Sequence, residues 1–181
     1  MLSIVVLGDE LWNEETNEFS TVGDVALEFE HSLVSLSKWE AKYEKPFLGK
    51  GKKEQEEVFG YLKEMCLTPN VDEEVFYRLS DDNLDAINKY IESKQSATTF
   101  GNLPKERGPA ETITAELIYY WLVAFQIPFD PCETWHLNRL FSLIRICSIK
   151  NTPPKKVNRA EMLSQRSKLN AQRRAQLGTR G

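Results

Sequence analysis

Apolar and polar positions follow two rhythms along this chain, one at each end of its first half. From Val25 to Glu30 the pattern alternates, with Val25, Leu27 and Phe29 set against Ala26, Glu28 and Glu30. That period of two predicts a half-buried strand. Leu2 to Leu7 is a short β-type run ended by Gly8-Asp9, and Asn13 to Gly23 is polar and turn-rich. Together they predict an N-terminal β-hairpin or small sheet built from Leu2–Leu7 and Val25–Glu30. After Ser32, a candidate helix cap, the period becomes helical. Leu33, Leu36, Trp39 or Glu40, and Tyr43 share one face, and Pro46 closes the helix. A charged linker, LGKGKKEQEE, leads into a helix from about Glu54 to Cys66 with Val58, Tyr61, Leu62 and Met65 inward. The segment 71–79 fits either a strand or a turn of helix with Asp-Glu-Glu as its acidic start. Ser80-Asp81-Asp82 opens a clearer helix carrying Leu84, Ile87, Tyr90 and Ile91 on one side. Residues 98–110, with two Gly and two Pro, predict a surface loop.

The richest apolar segment runs from Thr112 to Asn151 and predicts two helices joined by a short turn. In the first, Ile113, Leu117, Tyr120, Trp121 and Ala124 recur at helical spacing while Ile118, Leu122 and Phe125 fill in, so the helix is apolar nearly all round. Ile127-Pro128 stops it, and Asp130-Pro131-Cys132-Glu133 has the makings of a new helix start. The second helix points Leu137, Leu140, Phe141, Ile144 and Cys147 inward and Asn138, Arg139, Ser142 and Arg145 mostly outward, with Pro153-Pro154 ending it. This pair is expected to be the most buried part of the chain. Beyond it, residues 159–176 have helical composition but only Met162, Leu163 and Leu169 as a thin apolar stripe.

Charge divides the chain in a way that hydropathy does not. Residues 150–181 carry nine Lys/Arg against one acid, Glu161, a net +8; with −4 on the whole chain, the remainder holds −12. The expected organisation is an acidic globular domain over 1–152 and a basic, partly helical or disordered arm over 153–181. The fold class is α+β, mainly α: a small N-terminal hairpin or sheet, then a helical bundle, then the arm. A basic arm on an acidic body points to an acidic partner, a neighbouring copy included. Aromatic residues that would stack on bases are absent from 150–181, which argues against nucleic acid. No run reaches the roughly 20 apolar residues of a membrane span, and MLSIVVLGDELW has no basic start of the signal-peptide kind. Three cysteines without a CxxC pair favour a reducing compartment.

Candidate chemistry is sparse. Cys132 and His136 stand four apart on one helix face, a spacing suited to a metal pair or a Cys–His couple. His31 is the only other histidine, so packing is the preferred reading. Gly49-Lys50-Gly51-Lys52-Lys53 lacks the spacing and the Ser/Thr of a phosphate loop. Acidic clusters sit at helix starts, where the dipole favours them. No cofactor, metal or catalytic set is expected.

Three blocks carry a resemblance: EHSLVSLSKWEAKYEKPFLG (Glu30 to Gly49), YIESKQSATTF (Tyr90 to Phe100), and Glu116 to Lys156 with its WHLNRL core and PPKK exit. In these the chain resembles the tail assembly chaperones of long-tailed (siphovirus-type) bacteriophages, over most of its length. The resemblance implies a non-catalytic protein of the host cytoplasm that holds the tape-measure protein while tail-tube subunits are recruited. It implies no active site. Self-association through the charged arm fits the same picture. Under it, Tyr119, Trp121, Trp135 and Phe141 are the candidate apolar contact surface, and Arg166, Arg173 and Arg174 the electrostatic docking residues. A structural virion component (a head-to-tail connector or neck protein) is the alternative, followed by a nucleic-acid-binding regulator acting through the arm.

Overall fold

The computed structural model describes residues 1–13, 18–100, 112–152 and 159–178. The described chain is mainly helical, with two small antiparallel sheets at its N-terminus. It divides into two compact units, Met1–Ser148 and Ile149–Gly181.

In the first unit β1 (Leu2–Val6) pairs antiparallel with β4 (Val25–Phe29), placing Leu2 opposite Phe29 and Ile4 opposite Leu27. As the alternation requires, Ile4, Val6, Leu27 and Phe29 face the core while Ser3, Val5, Ala26 and Glu28 face solvent. Between them lies a second ribbon, β2 (Asp9–Asn13) with β3 (Glu18–Val22), the latter inside the Asn13–Gly23 stretch that the sequence marks as turn-rich. Phe19 on β3 is exposed. Gly8 joins the two ribbons. A side chain there would meet the Val22 carbonyl at 2.1 Å, and its N–H donates to Asp24 Oδ1 at 2.7 Å.

The free edges of the core ribbon are covered. Glu28 N–H donates to Thr68 Oγ1 and Leu67 N–H to the Glu28 carbonyl, while Arg78 and Asn83 donate to the Leu7 and Val5 carbonyls.

Helix α1 (Leu33–Tyr43) begins at Ser32, whose Oγ accepts from Ser35 N–H, and ends at Glu44 in the left-handed conformation before Pro46. Leu33 and Leu36 enter one apolar cluster and Trp39 the other, so α1 is the shared wall of the fold. Helix α2 (Gln55–Met65) approaches α1 closely at Gly60, where an added Cβ would lie 2.1 Å from Tyr43 Oη. That close approach turns α2 from the expected face. Val58 is exposed, and Glu57 is buried in its place, bound to Lys45 and accepting from Glu54 N–H at 2.9 Å. The ambiguous 71–79 segment is helical: α3 (Glu73–Tyr77) is capped by Asp72, and α4 (Asp81–Glu92) by Ser80. Ile87 is the buried anchor of α4. Residues 98–100 have no regular structure, and the rest of the expected loop lies outside the described residues.

The Thr112–Asn151 segment departs from two helices and a short turn. Helix α5 (Ala115–Ala124) is followed by α6 (Phe129–Cys132), itself broken at Asp130, and then by a turn before α7 (Leu137–Asn151). The α5 face is also rotated from expectation: Ala115, Ile118 and Leu122 are buried, while Tyr120 and Ala124 are exposed. Nor is this pair the most buried part, since α1 has five buried residues in eleven and α5 three in ten. On α7, Asn138 is turned inward rather than out, donating to the Ile91 and Ser93 carbonyls at 3.0 and 2.8 Å and so capping the end of α4. In the second unit, α8 (Arg159–Leu177) is a continuous helix whose described side chains, Met162, Leu163 and Leu169 included, are exposed.

Candidate functional site

Helix α5 has more apolar surface than the core takes up. With Ala115, Ile118 and Leu122 turned inward, Glu116, Tyr120 and Val123 stand i, i+4, i+7 along the outer face. Tyr120 is 64% exposed and Val123 62%. Phe129, exposed on α6, meets the Tyr119 ring edge-on at 5.3 Å between centroids. Tyr119 Oη donates to Glu133 Oε2 at 3.1 Å, and burial, followed by that carboxylate, pushes the phenol up to about 12, so it stays protonated. Further along, the Arg139 guanidinium lies 4.0 Å from the Trp135 ring centre. Exposed aliphatic and aromatic groups thus stand on α5 and α6, and Glu116, Asp130 and Arg139 are exposed on α5, α6 and α7.

The four aromatic residues singled out from sequence are only half in this surface. Tyr119, Trp121, Trp135 and Phe141 are half-buried and pack against the second apolar cluster. Sequence pattern missed Tyr120, assigned to the inside, and did not single out Val123 or Phe129. An all-round apolar helix gives no periodicity from which to tell its faces apart; only the polar Glu116 four residues before Tyr120 hinted at the outer one. Arg166, Arg173 and Arg174 are exposed on α8.

The polar residues that hold chemistry are instead buried at the junction of the two clusters. His31 Nδ1 shares a 2.5 Å hydrogen bond with Tyr61 Oη, and its ring meets the His136 ring edge-on at 5.2 Å. His136 Nε2 lies 3.0 Å from the Tyr90 carbonyl, while its Nδ1 accepts from Asn138 N–H at 3.2 Å. That network assigns the proton to Nε2 in a neutral ring. Tyr90 Oη in turn donates to Glu30 Oε1 at 2.8 Å. Burial lowers His31 to about 4, with His136 as the second cause, and burial also lowers His136.

Cys132 and His136 are both buried, as the packing reading has it. Burial pushes the Cys132 thiol up, so it stays protonated, and both ring nitrogens of His136 are committed to backbone groups. The pair is structural. Among the described residues no group of three or more His, Cys, Asp or Glu is placed to hold a metal ion, and no helix is long and apolar enough to cross a membrane.

The histidine pair makes stability depend on pH. Between about 4 and 6.5 the unfolded chain binds protons at His31 that the folded chain does not. Stability is therefore full above pH 6.5 and falls as pH drops through that window, by about 3 kcal/mol for His31 alone near pH 4. Urea midpoints from pH 7.5 to 4 check this, with His31→Gln flattening the slope. An unchanged slope in the variant overturns the assignment.

Comparison with family models, curated proteins and solved structures finds no match to this chain.

Proposed function

We propose that this protein is a non-catalytic tail assembly chaperone of a long-tailed bacteriophage. It acts in the host cytoplasm, holding the tape-measure protein while tail-tube subunits are recruited. The observation that carries this reading is the exposed apolar surface of α5 and α6, where Tyr120 and Val123 stand out from α5 and exposed Phe129 packs on half-buried Tyr119. A face of this kind takes up one apolar side of a helical client, whose anchors recur at i, i+3, i+4 and i+7. Glu116 on α5 and Asp130 on α6 are exposed as well. The similarity blocks from Glu30 to Gly49 and from Glu116 to Lys156 support the same reading, since they include α1 and the chain from the second residue of α5 to the end of α7.

The test is co-expression with the tape-measure protein of the same genome, followed by solubility and co-purification. The wild type is expected to keep the tape measure soluble and to co-purify with it. Tyr120→Asp combined with Val123→Asp is expected to abolish co-purification. Because both side chains are exposed, each change should alter stability by no more than about 0.5 kcal/mol. An insoluble tape measure, with this protein found in finished particles, replaces the chaperone with a structural virion component.

A further inference from the structure

The connection between α1 and α2 gathers positive charge around a cavity. Lys45, Lys50, Lys52 and Lys53 line a space of about 290 Å³, with Glu57 as the only acid among the described lining residues. They do so in a part of the chain, residues 1–149, whose net charge is −12. Two of the four are already engaged. Lys45 is paired with Glu57, whose other oxygen accepts from Glu54 N–H at 2.9 Å, and Lys53 Nζ lies 4.6 Å from the centre of the Phe47 ring. Lys50 and Lys52 are exposed and, among the described residues, no acid lies within ion-pair distance of either. With Glu57 taken up by Lys45, like charges share the rim of the cavity without a counter-charge, which an anion would supply.

The two glycines that line this cavity differ in what the fold asks of them. At Gly49 an added Cβ would lie 3.2 Å from the Pro46 carbonyl oxygen and 3.6 Å from Thr112 Cγ2, so close packing keeps that position bare. At Gly51 it would meet nothing within 4 Å, and the backbone there is outside the left-handed region. Neither packing nor conformation of the folded chain requires glycine at 51. A bare backbone beside lysines suits the close approach of an anion to its N–H. Charge order along the chain limits the size of that anion. Exposed Glu44 precedes Lys45, and exposed Glu54 and Glu56 follow Lys53. A nucleic acid strand or a long acidic peptide would run past the cavity onto these carboxylates, and a compact anion would not. The volume agrees, standing at the small end of the range of about 300–1,000 Å³ for small-molecule sites.

We propose that this cavity binds a compact polyphosphate anion, free or as the phosphate tail of a nucleotide, with Lys50, Lys52 and Lys53 neutralising it and the Gly51 backbone in contact with it. Bonds from ammonium groups to phosphate oxygens are charge-assisted and therefore among the stronger ones. Lys45 stays with Glu57 and holds the wall of the site. A nucleotide base finds no open ring here: Trp39 is buried, and Phe47 is stacked on Tyr61 and approached by Lys53. The phosphates alone are read. The site uses no residue of α5 or α6, so it does not rest on the chaperone reading.

The experiment is isothermal titration of the full chain with sodium tripolyphosphate at low salt. The wild type is expected to bind one tripolyphosphate per chain. K50Q/K52Q is expected to bind at least about tenfold more weakly while keeping the wild-type urea midpoint, because both side chains are exposed. G51A, which meets no neighbour, is expected to keep the midpoint and to weaken binding severalfold. R166Q/R173Q removes the same charge from α8 and is expected to bind as the wild type does. ATP, titrated in the same way, distinguishes the sources: equal affinity upholds the site with nucleotide tails among its ligands, and binding of tripolyphosphate alone upholds it for free polyphosphate. A wild type that takes up no tripolyphosphate overturns the proposal, as does unchanged binding in K50Q/K52Q or in G51A. Binding lost in R166Q/R173Q and kept in K50Q/K52Q overturns it by moving the anion to α8. A wild type that binds an oligonucleotide duplex through Lys50 and Lys52 but no tripolyphosphate overturns it in favour of nucleic acid.

Discussion

Trp39→Ala is expected to lower the stability of the Met1–Ser148 unit by about 3–5 kcal/mol, the range for deleting a large buried aromatic side chain. Trp39 is 1% exposed. Its ring meets Phe47 edge-on at 5.0 Å and lies tilted over Tyr43 at 4.8 Å, and Phe47 in turn stacks on Tyr61 at 3.8 Å. Phe47 packs against both apolar clusters, so a void at Trp39 loosens the ring that joins them. Collapse around the void is opposed by the covered edges of the β1–β4 ribbon and by the close α1–α2 approach at Gly60, which leave little room for repacking. The indole N–H also donates to the Glu57 carbonyl at 2.7 Å. Trp39→Phe keeps most of the ring volume and loses that bond, so a cost of about 1 kcal/mol is expected. Urea unfolding followed by circular dichroism checks both. A loss below 1 kcal/mol for the alanine variant would mean that Trp39 is not the hub its packing indicates.

The sequence made some of this arrangement legible, and the reasons are physical. Val25, Leu27 and Phe29 alternate because one side of their strand is buried and the other is wet, and α1 could be read because Ser32 and Pro46 bracket a clean helical row. Helix α5 could be placed but not oriented, because a helix apolar on every side has no preferred face until its neighbours are known. The β2–β3 ribbon was not legible, because Asn13 to Gly23 is rich in polar and turn-forming residues. The buried polar groups were the least legible. Nothing near His31 in sequence announces His136, and the burial of Glu57 depends on Lys45 and a close approach at Gly60. Of the candidate surface, the stretch 119–141 was found and its outward residues were not.

Glu40→Ala is the second large effect expected, about 2–4 kcal/mol, and it comes from hydrogen bonds rather than volume. Glu40 is 7% exposed in the last turn of α1. Its Oε1 accepts from Phe47 N–H at 2.8 Å and its Oε2 from Ala115 N–H at 2.6 Å. Ala115 is the first residue of α5, so the carboxylate sits at a helix N-terminus, where the dipole favours negative charge. The cost of holding a carboxylate near the C-terminal end of α1 is offset by these two bonds. Alanine leaves both N–H groups without an acceptor; the Ala115 N–H is buried and the Phe47 N–H partly so, and a fully buried orphan costs about 1–3 kcal/mol. Glu40→Gln retains one acceptor oxygen but turns an NH2 group toward the other N–H, so it should recover less than half of the loss. Leu33, Leu36 and the α5 core residues stay in contact in both variants, so the body is expected to fold while the start of α5 loosens. Hydrogen exchange provides the local readout. The Ala115 and Phe47 amides should exchange faster in Glu40→Ala by a larger factor than amides in β1 and β4. Uniform acceleration would instead mean that Glu40 supports the body as a whole. A loosened α5 also misplaces Tyr120 and Val123, so under the proposed chaperone function the same variant should weaken co-purification of the tape-measure protein.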